Sequence, residues 1–282
     1  MLIVVKIIET PRDGFQGLPT IIETDKKVEY INQLLQCGFH TVEVGSFVSP
    51  KLIPQMADTA QVIKSLKTDN TNSNLAVLVV TKQGADRACE FEVINELFFP
   101  FSVSSTFLQK NIKQTIEQAV INIHEIQNLC VKNGKQLITY FSMGFESSYG
   151  NNWSMDMLYK YVEVFTTMGL KIFPFSDIFG NVSPMKINEV FNGLKSEFAE
   201  VEFGLHLHSL DNNRLEKVDA AYKAGIRRFD TVINGIGGCP QTGKELIGNL
   251  PLQEFLRYCS QNNIPTNIDE EKVIEISKYN LY

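Results

Sequence analysis

A single (β/α)8 TIM barrel over residues 1–282 is the fold this sequence predicts, and three observations predict it. Short apolar runs alternate with longer stretches whose apolar residues fall three and four positions apart. Glycines stand where the helical stretches stop, at Gly38, Gly134, Gly169 and Gly225. The alternation repeats eight times without a Pro/Ser-rich linker, charge block or low-complexity tract, as one parallel barrel requires. An open doubly wound sheet shares this alternation and is the second architecture it allows.

The chain opens on a strand over 2–9, apolar as far as Ile8 except for Lys6 and running directly into Glu9. A helix over 25–36 follows, with Thr24 and Asp25 placed to cap it. Strand 40–45 precedes a helical pattern over 53–66, and the polar turn 69–74 leads to strand 75–80. Helix 82–91 and strand 94–100 come next. The longest helical pattern, 110–132, carries Ile116, Val120, Ile123, Ile126, Leu129 and Cys130 at helical spacing. Strand 136–142 is followed by helix 154–168, which Ser154 caps, then by strand 171–177 and helix 184–198. Strand 201–208, helix 212–224, strand 228–233 and helix 252–259 complete the pattern, and a terminal helix and tail cover 269–282.

Composition narrows the function classes. The 282 residues are 44% hydrophobic, enough for a large core, yet no apolar run approaches the ~20 residues that span a bilayer. A net charge of −6 argues against broad nucleic-acid binding, which favours a basic face. The N-terminus has no cleavage-like secretory pattern, and the five cysteines show no CxxC spacing. Reduced thiols in a cytoplasmic protein are expected.

In such a barrel, chemistry gathers at the carboxyl ends of the strands. Those ends hold Arg12 and Asp13, Glu43, Asp177, His206 and His208, and the loop after Ile233. His206 and His208 lie two apart in an apolar strand, so both point to one face, as half of a metal site would. A pair of satisfied core histidines is the competing reading. Asp13, on a turn between Pro11 and Gly14, could add an oxygen ligand, and Arg12 could hold a carboxylate or enolate oxygen. Cys239 sits in a glycine-dense loop suited to a moving lid, either as a reactive thiol or as a small filler residue. Asn249 either caps the helix after it or binds metal, and Gln16, Glu43 and Asp177 can each be read as ordinary rim residues. No strand ends in lysine, which disfavours a Schiff-base aldolase.

The chain resembles the 3-hydroxy-3-methylglutaryl-CoA lyases within the DRE-TIM metallolyase group. The matching blocks, in order, are Pro11-Arg12-Asp13-Gly14-Phe15-Gln16, Val42-Glu43 with Ser46-Phe47-Val48-Ser49-Pro50-Lys51, and Asp177-Ile178-Phe179-Gly180. His206-Leu207-His208, Gly237-Gly238-Cys239-Pro240 and Gly248-Asn249-Leu250 complete the series. The resemblance implies Mg2+ or Mn2+ held by Asp13, His206, His208 and Asn249. It implies that Arg12 stabilises an enolate, that Cys239 acts from a mobile loop, and that Glu43 and Asp177 belong to the acid/base network. Two departures stand out: Ser209 replaces an Asp that often follows the second histidine, and 142–150 lacks a cysteine seen in some members.

The reaction so implied is retro-Claisen cleavage of 3-hydroxy-3-methylglutaryl-CoA to acetoacetate and acetyl-CoA, as in leucine breakdown, with a CoA thioester as substrate. A homodimer is likewise implied. Other metal-dependent members, such as 4-hydroxy-2-oxoacid aldolases or related acyl-CoA lyases and synthases, are alternatives, as is a non-catalytic barrel acting as a binding protein. Lys51 and Lys244 are candidates to meet coenzyme phosphates, against the ordinary reading of solvated lysines.

Overall fold

The structure, a computed structural model, describes residues 4–146, 153–208, 213–238, 247–279 and 281. Its first half runs β1 (Lys6–Glu9), α1 (Pro11–Gln16), α2 (Thr24–Leu34), β2 (Thr41–Ser46), α3 (Thr59–Ser65), β3 (Asn74–Leu78), α4 (Lys82–Cys89), β4 (Ile94–Ser102), α5 (Ser105–Asn111) and α6 (Ile116–Lys132). The second half runs β5 (Gln136–Ser142), α7 (Met155–Thr167), β6 (Ile172–Asp177), α8 (Pro184–Glu197), β7 (Glu202–Leu207), α9 (Arg214–Lys223), β8 (Arg228–Thr231), α10 (Leu252–Gln261) and α11 (Glu270–Ile276).

The strands close into one parallel barrel in sequence order, with β8 returning to β1 through Lys6↔Arg228 to Glu9↔Thr231. Closure excludes the open doubly wound sheet. Along each strand, alternation sorts the side chains into two environments. On β5 and β6, Phe141 and Phe175 stack outside the barrel at 4.7 Å between ring centroids, and Phe165 of α7 and Phe191 of α8 pack edge-on against them. The intervening residues Tyr140, Ser142 and Ser176 line the interior cavity instead. The aromatic outer layer thus holds helices to the barrel wall while the polar set is collected inside.

Besides shifts of one or two residues at several ends, four segments differ from the sequence expectation. Residues 11–16 form the short helix α1 rather than a turn, with Pro11 in its first turn, where its missing N–H is not needed. The 110–132 pattern is two helices, α5 and α6, separated by Lys113 at φ 58°. Thr115 starts α6 with a capping box closed by Gln118. The 53–66 pattern divides into a 3-10 turn, Pro54–Met56, and α3. Residues 4 and 5 precede the ladder, Val5 donating instead to the Pro265 carbonyl at 3.3 Å.

Gly45 marks a register shift in β2 just past Glu43. A Cβ there would meet the Thr59 side chain at 2.5 Å. The missing side chain admits Thr59, whose Oγ1 accepts from the Ser46 N–H at 3.1 Å. The irregularity fixes how the end of β2 meets the site.

Candidate active site

The cavity at the carboxyl end of the barrel holds about 340 Å³ and is lined by Arg12, Asp13, Glu43, His206 and His208 among others. Helix α1 delivers the first pair. Its backbone is tied to β1 by Asp13 and Gly14 N–H groups donating to the Thr10 carbonyl at 3.0 and 3.1 Å. Both side chains are thereby turned into the cavity, and each residue is only 8% exposed.

Arg12 is held on three sides. Its Nε and Nη2 each lie 2.8 Å from Glu43 Oε1, and its Nη1 donates to Asp13 Oδ1 at 3.0 Å and Gln16 Oε1 at 2.7 Å. Burial alone would depress the guanidinium's pKa, but Glu43 and Asp13 outweigh it and raise it. Burial pushes Glu43 up to about 7 even though the Arg12 charge opposes this, and Asp13 adds to the rise. Burial also acts to raise Asp13, yet Arg12, His208 and His206 together bring it below the usual carboxylate range.

The histidines rise from β7. Continuing the β7–β8 register one residue past Leu205↔Phe229 brings His206 abreast of Asp230. His206 Nδ1 lies 3.0 Å from Asp230 Oδ2, and its Nε2 lies 3.2 Å from His208 Nε2. Two bare imidazole lone pairs would repel at that distance, so a shared hydrogen or a cation is needed between them. Burial would lower the His206 pKa, but the Asp230 hydrogen bond and charge reverse the sign and raise it. Burial and the neighbouring His206 lower His208 to about 4, which favours the neutral, ligating form.

Asp13, His206 and His208 are the group among the described residues that could hold a metal ion, with ligand atoms all within 4.8 Å of one another. Asp13 Oδ2 is buried with no hydrogen-bond partner, a costly state unless a cation supplies one. Two neutral imidazoles and a carboxylate are ordinary ligands of a divalent cation. The donor set fits.

Asn249 lies beside this group. It forms an antiparallel bridge with His208, its Nδ2 donates to the Ile236 carbonyl at 3.0 Å, and its amide is close enough to help lower Asp13. It does not cap α10, whose N-cap is Pro251 without a side-chain bond. Gly237 rests on the same backbone: a Cβ there would meet the Gly14 carbonyl at 2.4 Å. The base of the glycine-rich loop is therefore pressed against α1, the helix carrying Asp13.

Asp177 stands apart. Its Oδ2 accepts from Lys217 Nζ at 2.8 Å and the Val182 N–H at 3.2 Å, and Lys217 also donates to the Gly180 carbonyl at 2.7 Å. Asp177 does not line the main cavity. Cys239, Ser209 and Lys244 lie outside the described residues, as do 147–152 of the segment after β5. Lys51 is exposed and does not line the cavity, whereas Lys110 and Lys113, not anticipated, do. Asp230 and Tyr140 were also missed. For Asp230 a signal existed, since Arg228 and Asp230 alternate with Phe229 in a short strand and must share its inner face.

Among the described residues, no helix is long and apolar enough to cross a membrane. The HMGL-like family pattern matches residues 4–279. The chain is 29% identical to hydroxymethylglutaryl-CoA lyase YngG of Bacillus subtilis over 269 residues, covering 95% of this chain and 89% of that protein. It is 26% identical to an (R)-citramalyl-CoA lyase of Chloroflexus aurantiacus over 278 residues, 95% and 87% of the two chains. Among solved structures, an HMG-CoA lyase from Acinetobacter baumannii in complex with coenzyme A and 3-methylmalate superposes with a TM-score of 0.89 at 31% identity, over 97% of this chain and 89% of that one. The Bacillus subtilis HMG-CoA lyase gives 0.91 at 29% identity, over 98% and 92%. The barrel, its buried Asp-His-His group and a match over nearly its whole length place this chain in the HMGL-like family.

Proposed function

We propose that the protein is a divalent-metal-dependent carbon–carbon lyase that cleaves 3-hydroxy-3-methylglutaryl-CoA to acetoacetate and acetyl-CoA. The observation that carries this reading is the buried convergence of Asp13, His206 and His208 in a cavity that also presents Arg12 and Glu43. Asn249 is the proposed fourth ligand. When bound, Mg2+ or Mn2+ would supply Lewis-acid polarisation of the substrate's hydroxyl and carboxylate oxygens.

The chain's own residues do the rest. Glu43, pushed up to about 7, is poised to take the hydrogen of the tertiary hydroxyl. As that O–H bond breaks, the electron pair forms the ketone and the adjacent C–C bond breaks, leaving a thioester enolate. Arg12, fixed by Glu43, Asp13 and Gln16, would hold the negative oxygen without having to reorganise. Cys239 is the proposed donor of the proton that turns the enolate into acetyl-CoA. Asp177 is proposed to act by fixing the 177–183 loop through Lys217, rather than by touching the reacting atoms.

The CoA thioester assignment is supported by the related Acinetobacter structure, which was solved with coenzyme A and 3-methylmalate. The same proposal includes a homodimer, checked by sedimentation, and a reducing cytoplasmic setting, in keeping with free thiols at Cys37, Cys89, Cys130 and Cys259. The test is acetoacetate release by chelator-stripped protein given one cation at a time. 3-Hydroxy-3-methylglutaryl-CoA should turn over with Mg2+ or Mn2+ and not without them. Turnover of citramalyl-CoA alone would move the assignment to that substrate, and no turnover of any thioester would favour a binding protein.

A further inference from the structure

We infer that Asp230 is a positioning residue that locks His206 in the tautomer able to bind a metal, an inference that rests on Asp13, His206 and His208 being a metal site. Asp230 is 2% exposed and sits on β8 directly beside β7, so strand register holds its carboxylate in place. Its Oδ2 lies 3.0 Å from His206 Nδ1. A carboxylate oxygen only accepts, so Nδ1 carries the hydrogen, and the neutral ring then keeps its lone pair on Nε2. That lone pair points at His208 Nε2, 3.2 Å away, within the group completed by Asp13. Turning the ring over would put Cδ2 where Nδ1 meets Asp230 and Cε1 where Nε2 meets His208, and lose the site. Tyr140 opposes this rotation, because its ring meets the His206 ring edge-on at 5.8 Å and an interplanar angle of 87°. The carboxylate fixes which nitrogen bears hydrogen, and the tyrosine fixes the plane.

The arrangement predicts an effect on metal binding without any substrate present, because an outer partner of a metal-ligating histidine commonly changes affinity ~10–100-fold. The test is Mn2+ binding to the chelator-stripped full chain, followed by loss of the free-ion EPR signal, for the wild type, Asp230→Asn and Asp230→Ala. Spectra of 15N-histidine protein, with four histidines to assign, read the His206 tautomer in the same metal-free samples. The expected result is Nδ1–H in the wild type, Mn2+ binding weakened ~10–100-fold in Asp230→Ala with a shift toward Nε2–H, and a smaller loss in Asp230→Asn, which keeps an acceptor oxygen. A merely structural role would not move the tautomer. If Asp230→Ala fails to fold, Asp230→Asn alone decides: weakened binding supports the role, and unchanged binding overturns it. Wild-type affinity in Asp230→Ala with an unchanged tautomer, or Nε2–H in the wild type, also overturns it. A chain that shows the expected Mn2+ pattern but cleaves no thioester would overturn the lyase assignment and leave the role of Asp230 standing. A wild type that binds no Mn2+ would overturn both.

Discussion

Arg12 closes two nitrogens, Nε and Nη2, on a single oxygen of Glu43, each at 2.8 Å, and leaves the other carboxylate oxygen of Glu43 buried without a partner. A cation so constrained is a fixed electrostatic device, and the free oxygen beside it is where a proton could be received. Replacing Arg12 by Lys keeps a charge but cannot reproduce the fork to Glu43 or the simultaneous contacts with Asp13 and Gln16. Arg12→Lys should therefore lower kcat ~10²–10³-fold with a smaller change in KM, measured by steady-state acetoacetate release. Unchanged kcat would remove Arg12 from the transition state.

Removing a ligand should separate binding from folding. Asp13→Asn and His208→Ala should each weaken Mn2+ binding and depress turnover together, while circular dichroism shows an intact barrel. Full activity in either variant would show the ligand assignment to be wrong.

Cys239→Ser should leave Mn2+ affinity unchanged and slow turnover, since the thiol is assigned to proton delivery and not to the ion. An unchanged rate would remove it from the mechanism.

Much of this was legible in the sequence because barrels obey simple periodicities. The two-residue spacing of His206 and His208 states their shared face outright, and Arg12-Asp13 stands at the end of the first strand. What was illegible depended on neighbours across the barrel. Asp230 has meaning only beside His206, a contact made by strand register between residues 24 apart in sequence. Asp177 reads as a rim carboxylate until the fold brings Lys217 to it. Pro11 and Gly14 suggested a turn because both are poor in helix interiors, yet α1 is short enough that Pro11 lies in its first turn. The apolar spacing across 110–132 hid the break at Lys113, although Thr115 and Gln118 carried the spacing of a capping box.

The Asp177–Lys217 pair yields a stability prediction. The side chains are 1% and 0% exposed, so removing one partner strands a buried charge. Lys217→Met should destabilise the protein by about 3–5 kcal/mol in urea melts. Combining it with Asp177→Asn should recover part of the loss, and no loss in the single variant would contradict the pairing.

Glu9 predicts a pH dependence. It is fully buried, accepts from the Ile233 N–H at 2.7 Å and the Thr231 hydroxyl at 2.9 Å, and burial pushes it up to about 8 against the opposing effect of those bonds. The folded state therefore holds this proton more tightly than the unfolded chain. The stability so gained is present below pH ~4.5 and is lost as pH rises through about 8, with a slope of up to about 1.4 kcal/mol per pH unit. Glu9→Gln keeps the acceptor for Ile233 and cannot ionise, so its melting temperature should exceed that of the wild type at pH 9 and converge with it at pH 4.5. Parallel profiles would show that Glu9 does not titrate in this range.

The central claim is that Asp13, from the first helix, and the two histidines of the seventh strand grip one divalent ion. Anomalous diffraction from crystals soaked in Mn2+ tests it most directly. A single strong peak between the Asp13 carboxylate and the Nε2 atoms of His206 and His208 is the predicted result; a peak elsewhere, or none at this site under saturating Mn2+, would contradict it.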